Sequence, residues 1–581
     1  MEVSWTRFSI PSITTGASTT DEAQGRRLSG RARRVLGAGL MGATLMAAAG
    51  VPAMSLARAA SPSIADEDAT ATSEVAHTTT PPLKSLDPAA NTVSRSHPVR
   101  HAAPSSGPQA TAAAANSAPD TSGQGGAAPS RIPSTSANFT GIGNLDGVLP
   151  PDSQGAAGPT QYMEIVNTHL AVFSKAGVPL VAPKPTNTLW SRLGSANACA
   201  ANNDGDAMIL YDAMSDRWVA QQFSVSTTPY LECVAVSASN DATGPWHAYA
   251  FRTPGQDRAG NGFPDYPKMG IWRDGYYITF NLFNQPGTAG QGSRVCAYER
   301  ARMIEGRSAS QQCHKVIGPH PAPRDDDTVL PASVEGNTPP PAGSGEYLLS
   351  APQTAGSQRT LNAWTYDVDW RKPANTTLSA RMSISVHAYT MPCFNSHTGI
   401  RDCVPQGGSG QKLDALGDRL MSRLGYRNRG GHQSLVVDHN IVAGQSIGMR
   451  WYELAPSGRG LRIIQQGTVA PGPSYRWMGS VAQDKSGDIA MGYSLSSRTV
   501  APQIRYSGRL AGDRAGTMPQ GEGVVALPSN HAQTIGGRWG DYTSMTVDPT
   551  DGCTFWYVNE FGLPSGDWST QISSFRFPTC H

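Results

Sequence analysis

The stretch Gly205-Asp206-Ala-Met-Ile-Leu-Tyr-Asp212-Ala-Met-Ser-Asp216-Arg217-Trp218-Val-Ala-Gln-Gln-Phe223 returns in degenerate form near the C-terminus. There it reads Gly540-Asp541-Tyr-Thr-Ser-Met-Thr-Val-Asp548-Pro-Thr-Asp551-Gly552-Cys-Thr-Phe-Trp556-Tyr-Val-Asn-Glu-Phe561. Each copy runs Gly-Asp, a short β-prone stretch, an Asp-led turn, then a second strand that carries Trp and ends in Phe. A strand, turn and aromatic strand recurring along one chain is the sequence signature of a β-propeller. The expected fold class is therefore all-β.

Working outward from these copies, five further strand-rich units can be placed. The first runs from Pro151-Asp152 through Tyr162–Asn167 and Leu170–Ser174, and the second begins at Gly205-Asp206. The third holds Asp265-Tyr266-Pro267-Lys268, an Asp274-Gly275 hairpin turn and Val295–Tyr298; Asp-Gly suits such turns because both residues tolerate positive φ. The fourth is weaker, at Glu346–Ser350 and Leu361–Trp370. The fifth runs from Asp418-Arg419 to Leu454, the sixth from Tyr475-Arg476 to Tyr506, and the seventh from Arg538 to Phe577. Seven units over the C-terminal part give roughly 64 residues each, enough for a blade and a long loop. Six or eight blades are the alternatives. Ring closure needs a strand from the other terminus, and Ser136–Gly141 is the expected donor. The best helical stretch, Gln411–Tyr426, reads equally as a loop leading into a strand.

Ahead of these units, Arg26, Arg27, Arg31, Arg33 and Arg34 precede an apolar run from Val35 to Met54 and then Ala57-Arg58-Ala59. Basic region, apolar run and A-x-A site describe a secretory signal, over residues 1–59 and cut after Ala59. The rival is an uncleaved anchor; the run is close to the roughly 20 residues that span a bilayer. The Arg33-Arg34 pair leaves the export route open between the general and twin-arginine systems. Residues 60–134 are Ala, Ser, Thr, Pro and Gly with few large apolar residues, and are expected to be a disordered linker. The expected folded domain, 135–581, has equal numbers of acidic and basic residues. Formal neutrality gives it no footprint for nucleic acid or anionic lipid. A charged fraction of 15%, with 62 Gly and 44 Pro, suits a turn-dense β protein.

All eight cysteines (Cys199, Cys233, Cys296, Cys313, Cys393, Cys403, Cys553, Cys580) fall in the domain. An even count in an exported chain implies four disulfides. Sequence order suggests neighbouring pairs, 199–233, 296–313, 393–403 and 553–580.

The Asp-led turns at Asn240-Asp241-Ala-Thr-Gly244-Pro-Trp246 and at Asp548 through Gly552 to Trp556 resemble the degenerate Asp-box of sialidase-like propellers. In that motif the carboxylate ties the turn and the aromatic plugs the sheet packing. The domain also looks like a family of secreted bacterial propellers, without assigned activity, that carry Asp-Tyr-Pro-Lys and Arg-Trp-Gly-Asp-Tyr segments. The resemblance covers about 135–581 and implies architecture; the strict Asp-box is absent, so it is a weak guide to function.

Charged residues stand where several first strands begin: Asp206, Asp265, Asp418, Arg476 and Asp541. Tyr266, Lys268, Arg419, Arg538, Trp539 and Tyr542 lie beside them. Converging at a propeller mouth, the four aspartates would supply paired carboxylates for glycoside chemistry, Arg forks would hold an acidic sugar, and the aromatic rings would stack on sugars. The competing structural role is that each Asp caps a turn. The expected function is a secreted, periplasmic or cell-surface carbohydrate-active enzyme, a glycoside hydrolase or polysaccharide lyase. The alternative is a non-catalytic propeller that binds an extracellular glycan or protein. No nucleic acid, membrane or cofactor partner is expected, and the chain is expected to be a monomer.

Other motifs fail in context. Gly444-Gln-Ser446-Ile-Gly448 fits the nucleophile-elbow pattern but precedes a strand rather than a helix. His432 and His439 flank one strand, with structural roles expected, although His432 could serve as a rim acid or base. Asn203–Asp206 and Asp484–Asp488 are the two candidate positions for structural calcium, and neither follows the full EF-hand pattern.

Overall fold

A computed structural model describes residues 71–90, 130–256, 262–284, 290–316, 328–353, 357–393, 402–458 and 460–581. The expected signal at 1–59 lies outside them. Among the described residues no helix is long and apolar enough to cross a membrane.

The chain is all-β, built from successive antiparallel meanders. The first comprises 154–157, 161–166, 169–174 and 179–185; the second 208–212, 217–224, 231–237 and 246–252; the third 263–271, 276–283, 290–298 and 310–316. The fourth has 330–334, 346–350 and 357–367, with 377–378 and 382–390 both paired to 357–367. The fifth has 424–429, 432–443, 446–457 and 460–469, the sixth 475–483, 489–496, 503–509 and 522–524. The seventh has 544–547, 554–562 and 568–576, and takes 137–143 as its outermost strand. The expected closing donor, Ser136–Gly141, thus falls where it was placed.

First strands touch in cyclic order. Strand 154–157 meets 208–212, which meets 263–271, then 330–334, 424–429, 475–483 and 544–547, and the last returns to 154–157. Between the fourth and fifth meanders the contact is a parallel pairing, Ala332–Val334 with Leu424–Tyr426. The cores follow the same order. Met163, Ile165, Trp218 and Ala220 fill the space between the first and second sheets, and Met208, Val219, Met269 and Ile278 that between the second and third. Ala157, Tyr162, Trp556 and Ile572 close the circle between the seventh and the first. A sheet packed on both faces reads as an almost unbroken apolar run, as in Leu231–Ser237, buried at every position.

The Asp-led turns work as hydrogen-bond ties. Asp212 accepts from the amides of Met214 and Ser215, Asp241 from Thr243, and Asp551 from Cys553 and Thr554. Trp218 is fully buried and donates from Nε1 to the Asn240 carbonyl at 2.9 Å; Trp556 donates to Asp548 at 3.1 Å. Disulfides join Cys199–Cys233, Cys296–Cys313, Cys393–Cys403 and Cys553–Cys580, with no free cysteine. This is the neighbouring pattern expected from the sequence, and it suits an oxidising compartment.

The expected linker differs from expectation in one part. Residues 71–90, inside the 60–134 stretch, form strands: Ala76–Thr79 joins the outer edge of the second meander and Thr72–Ser73 that of the third. Leu83 and Leu86 are buried. Averaged over the whole low-complexity stretch, these few threonines and leucines disappear into the composition; locally they suffice for an edge strand and its anchor. The 411–426 stretch is a short strand at Leu413–Asp414, a loop, and then the start of the fifth meander, as the loop reading allowed.

Candidate functional site

Chain reversal at the start of each first strand sets the site. Asp152, Asp206, Tyr266, Thr328, Leu416 and Met478 all take positive φ, between 47° and 57°. Five of them lie in, or two residues ahead of, a first strand; Leu416 stands eight residues ahead of the first strand of the fifth meander. A non-glycine residue there is strained, and such residues concentrate where surrounding structure or function demands them. In the third and sixth meanders the reversal is a bulge, at 265–268 and 477–480.

Five meanders contribute side chains to one buried cluster. Asp152 of the first accepts from the Asp541 amide at 2.7 Å, joining it to the seventh. Its other oxygen accepts from Asn167 Nδ2 at 2.9 Å, while Asn167 Oδ1 receives the Asp206 amide at 2.7 Å. Asn167 therefore couples the first and second meanders. This needs glycine at 205, since a Cβ there would stand 2.6 Å from Asn167 Oδ1, and Gly205 itself has φ +93°. Tyr542 donates to Asp206 at 3.2 Å, and Tyr266 to the Asp541 carbonyl at 3.3 Å.

Lys268 Nζ lies 3.0 Å from the Tyr266 ring centre and 3.8 Å from that of Tyr542. The two rings are 5.2 Å apart. From the fifth meander, Arg419 forks onto its neighbour Asp418 at 2.8 and 3.1 Å and covers Tyr266 at 4.6 Å. Arg538 ion-pairs with Asp541 and also approaches Asp414 at 3.8 Å.

Burial controls the charges. It drives the Asp152 carboxyl well above the usual range, and the negative charges of Asp541 and Asp206 add to the rise, against the pull of Arg538. Burial holds Lys268 well below an ordinary lysine, opposed by Asp206. Tyr266 and Tyr542 are pushed up, chiefly by burial. Desolvation would lower Arg419 and Arg538, but Asp418 and Asp541 respectively outweigh it and hold both firmly charged. Glu560, which accepts the Gly540 amide at 2.7 Å, is raised by burial.

A covering segment closes the cluster. The short hairpin Asp402–Val404 with Leu413–Asp414 leads to Leu416, and Val404, Leu413, Ala415 and Leu416 pack against Tyr266, Trp477, Trp539 and Tyr542. Gln406 exchanges two hydrogen bonds with the Gln533 backbone, at 2.7 and 2.8 Å, and the Asp414 amide donates to the Gly537 carbonyl at 2.8 Å. Beneath this segment Asp152, Tyr266, Lys268 and Tyr542 are each at most 2% exposed.

The structure therefore brings together Asp206, Asp418, Asp541, Tyr266, Lys268, Arg419, Arg538 and Tyr542. Of the other expected residues, Arg476 and Trp539 are committed to packing and pairing contacts of their own, and Asp265 lies at the third-meander bulge. Asp265 precedes the third-meander bulge and is registered opposite Asn281. Arg476 pairs with Glu522 at 2.7 Å within the sixth meander. Trp539 is fully buried, donates to Ser494 Oγ at 3.0 Å and tilts against Trp477; it has no free face for a sugar ring. Asp152, Asn167 and Asp414 are the residues that sequence reasoning missed. Asp152 had a usable signal, since it opens the first unit as Asp206 opens the second.

The other candidates resolve into packing and turns. His439 is fully buried, 2.9 Å from the Tyr452 hydroxyl, its pKa pushed down to about 3 by burial. His432 is exposed at the 429–432 hairpin, and Ser446 opens a strand. Asp204 accepts from the amides of Val225 and Ser226, and Asp484 from those of Ser486 and Asp488. These carboxylates tie backbone. Among the described residues, no group of three or more His, Cys, Asp or Glu is arranged to hold a metal.

No known protein family and no curated protein matches the chain. Solved structures resemble it weakly. An α-L-arabinanase of Penicillium chrysogenum complexed with arabinobiose shares 9% identity over 77% of this chain and 100% of its own, with TM-score 0.34. An α-L-arabinofuranosidase of Fusarium graminearum with arabinobiose shares 10% over 76% and 98%, with TM-score 0.33. A subtype N11 neuraminidase-like protein shares 11% over 68% and 99%, with TM-score 0.31.

Proposed function

We propose that the chain is an exported seven-bladed propeller whose mouth cluster acts on a glycan as a glycoside hydrolase. The carrying observation is the contact between Asp152 and Asp541. At the closing ends of the ring the backbone amide of Asp541 donates to the Asp152 carboxyl at 2.7 Å, and the two side chains stand in different surroundings. Asp152 is driven towards its neutral form by burial, whereas Asp541 is ion-paired with Arg538. A buried carboxyl held towards its neutral form beside an ion-paired carboxylate residue is a pairing that acid/base chemistry uses. In this reading Asp152 would protonate the leaving sugar oxygen. Asp541 or Asp206 would serve as base or nucleophile, and Arg419 and Arg538 would hold acidic groups of the substrate. Four disulfides support export into an oxidising compartment.

A second reading rests on the closure itself. The charges of the cluster satisfy one another beneath a packed segment, which suits a scaffold for a non-catalytic glycan- or protein-binding propeller. Incubation of the purified chain with a panel of neutral and acidic polysaccharides, with assays for new reducing ends and for unsaturated products, separates the readings. New reducing ends without unsaturation are the expected result. Unsaturated products would indicate a lyase, and binding without turnover would favour the second reading.

A further inference from the structure

Residues 72–90 are held to the ring by a density of contacts that their composition does not suggest. Ala76–Thr79 pairs in register with His247–Ala250 at the outer edge of the second meander, and Thr72–Ser73 with Ser310–Gln311 of the third. Backbone hydrogen bonds continue beyond the strands, from Leu83 to Gly244 at 2.8 Å and from Lys84 to Thr243 at 3.1 Å. Glu74 accepts from the Ala309 amide at 2.9 Å, Thr80 Oγ1 accepts from the Trp246 amide at 3.0 Å, and His77 stacks on Tyr249. Leu83 is fully buried and Leu86 nearly so, in the core that holds Trp190 and Trp246. Lys184, from the first meander, donates to the carbonyls of both leucines.

The covalent path from this strand to the ring runs through 91–129, 39 residues of mainly Ala, Ser, Gly, Pro and Thr. An extended chain of that length reaches well over 100 Å at about 3.3 Å per residue, so the tether does not dictate where residues 72–86 lie. Their own contacts do. We propose that residues 72–86 are a docking strand for the outer edges of the second and third meanders. The N-terminal part of the chain then stays with the ring even when the 91–129 connection is cut. Strand addition supplies the affinity, and the two leucines in their core supply the specificity. The same strand shields two sheet edges that would otherwise be open to pairing with other chains.

The test uses the full chain with a site-specific protease sequence inserted after Gly125, cut after folding. The expected result is co-elution of the N-terminal fragment with the ring on size exclusion, with the amides of Ala76–Thr79 equally protected from hydrogen exchange before and after cutting. In the Leu83→Asp, Leu86→Asp chain, retention of the fragment should weaken at least about a hundredfold, because two buried apolar side chains become charged. Separation of the unaltered fragment, or loss of its exchange protection on cutting, overturns the proposal. Equal retention of the doubly substituted fragment also overturns it. A dimeric uncut chain that exchanges fragments between differently tagged copies would place the strand on a neighbour's edge instead and overturn the docking within one chain.

Discussion

Acidic residues occupy two kinds of place in this molecule and behave in opposite ways. At the turns, Asp241 and Asp551 are pushed up by partial burial, but hydrogen bonds from Gln161 and Thr243, and from Thr554 and Cys553, more than offset it and lower both pKa values. Between meanders, Asp152, Glu164 and Glu560 are buried, and desolvation raises all three. A carboxylate that accepts several local amides stays ionised cheaply; one taken from water among other carboxylates does not. Turn aspartates therefore organise a loop, while carboxyls between the sheets store a proton. Only the second kind can act as an acid near neutral pH.

The largest stability effect should come from Glu164. It accepts the Ile142 amide at 2.9 Å and contacts Thr570, which also donates to the Ile142 carbonyl. Thr570 has one hydroxyl proton, so the network is complete when a protonated Glu164 donates to Thr570. Burial raises its pKa from 4.5 to about 8. The folded-state value lies above the unfolded one, so the stabilisation is full below about pH 4.5 and is lost as pH rises towards 8. The loss should reach on the order of 3–5 kcal/mol at 1.36 kcal/mol per pKa unit. Glu164→Gln keeps the neutral hydrogen bonds and should flatten this slope, which denaturant titrations at several pH values would measure. An unchanged slope would mean that Glu164 is not the buried proton store.

Next in size is Gly205→Ala, which places a Cβ against Asn167 Oδ1 in a left-handed backbone. The expected loss is about 2–4 kcal/mol from strain and the displaced Asn167 bridge. The loss of the bridge should also loosen Asp152, so activity should fall with stability. A stable, fully active variant would separate the bridge from the site.

The smallest effect belongs to the turns. Asp551→Ala removes two amide ties and should cost about 1–2 kcal/mol, with activity per folded molecule unchanged. The folded pKa of Asp551 is depressed, so its contribution is present above about pH 3.8 and disappears as pH falls through the folded value. A drop in turnover without a drop in melting temperature would contradict the division between turn and site.

How far the sequence reaches follows the same division. Local patterns were legible: the Asp-led turns, the apolar runs, the cysteine couples and the closing strand at Ser136–Gly141 all depend on neighbours in the chain. What depends on register was less so. Asp265 and Arg476 stand beside bulges at 265–268 and 477–480, where extra residues re-aim side chains in ways that spacing does not reveal. Trp539 sits between Arg538 and Asp541 in the chain yet points into the core. The docking strand was hidden by its surroundings, because Leu83 and Leu86 are two apolar residues in a stretch of alanine and serine. Asp152 was overlooked although it opens its unit as Asp206 does.

Asp152→Asn tests the central claim most directly. The substitution keeps the size and neutrality of a protonated carboxyl but cannot give up a proton. Initial rates of reducing-end release and thermal unfolding, recorded on the same preparation at neutral pH, give the answer. The account predicts turnover reduced at least about a hundredfold, as for loss of a general acid, with a melting temperature lowered by no more than the loss of one hydrogen bond, since the amide nitrogen cannot accept in place of the carboxyl oxygen. Retained turnover with a lowered melting temperature would contradict it and make Asp152 part of the scaffold.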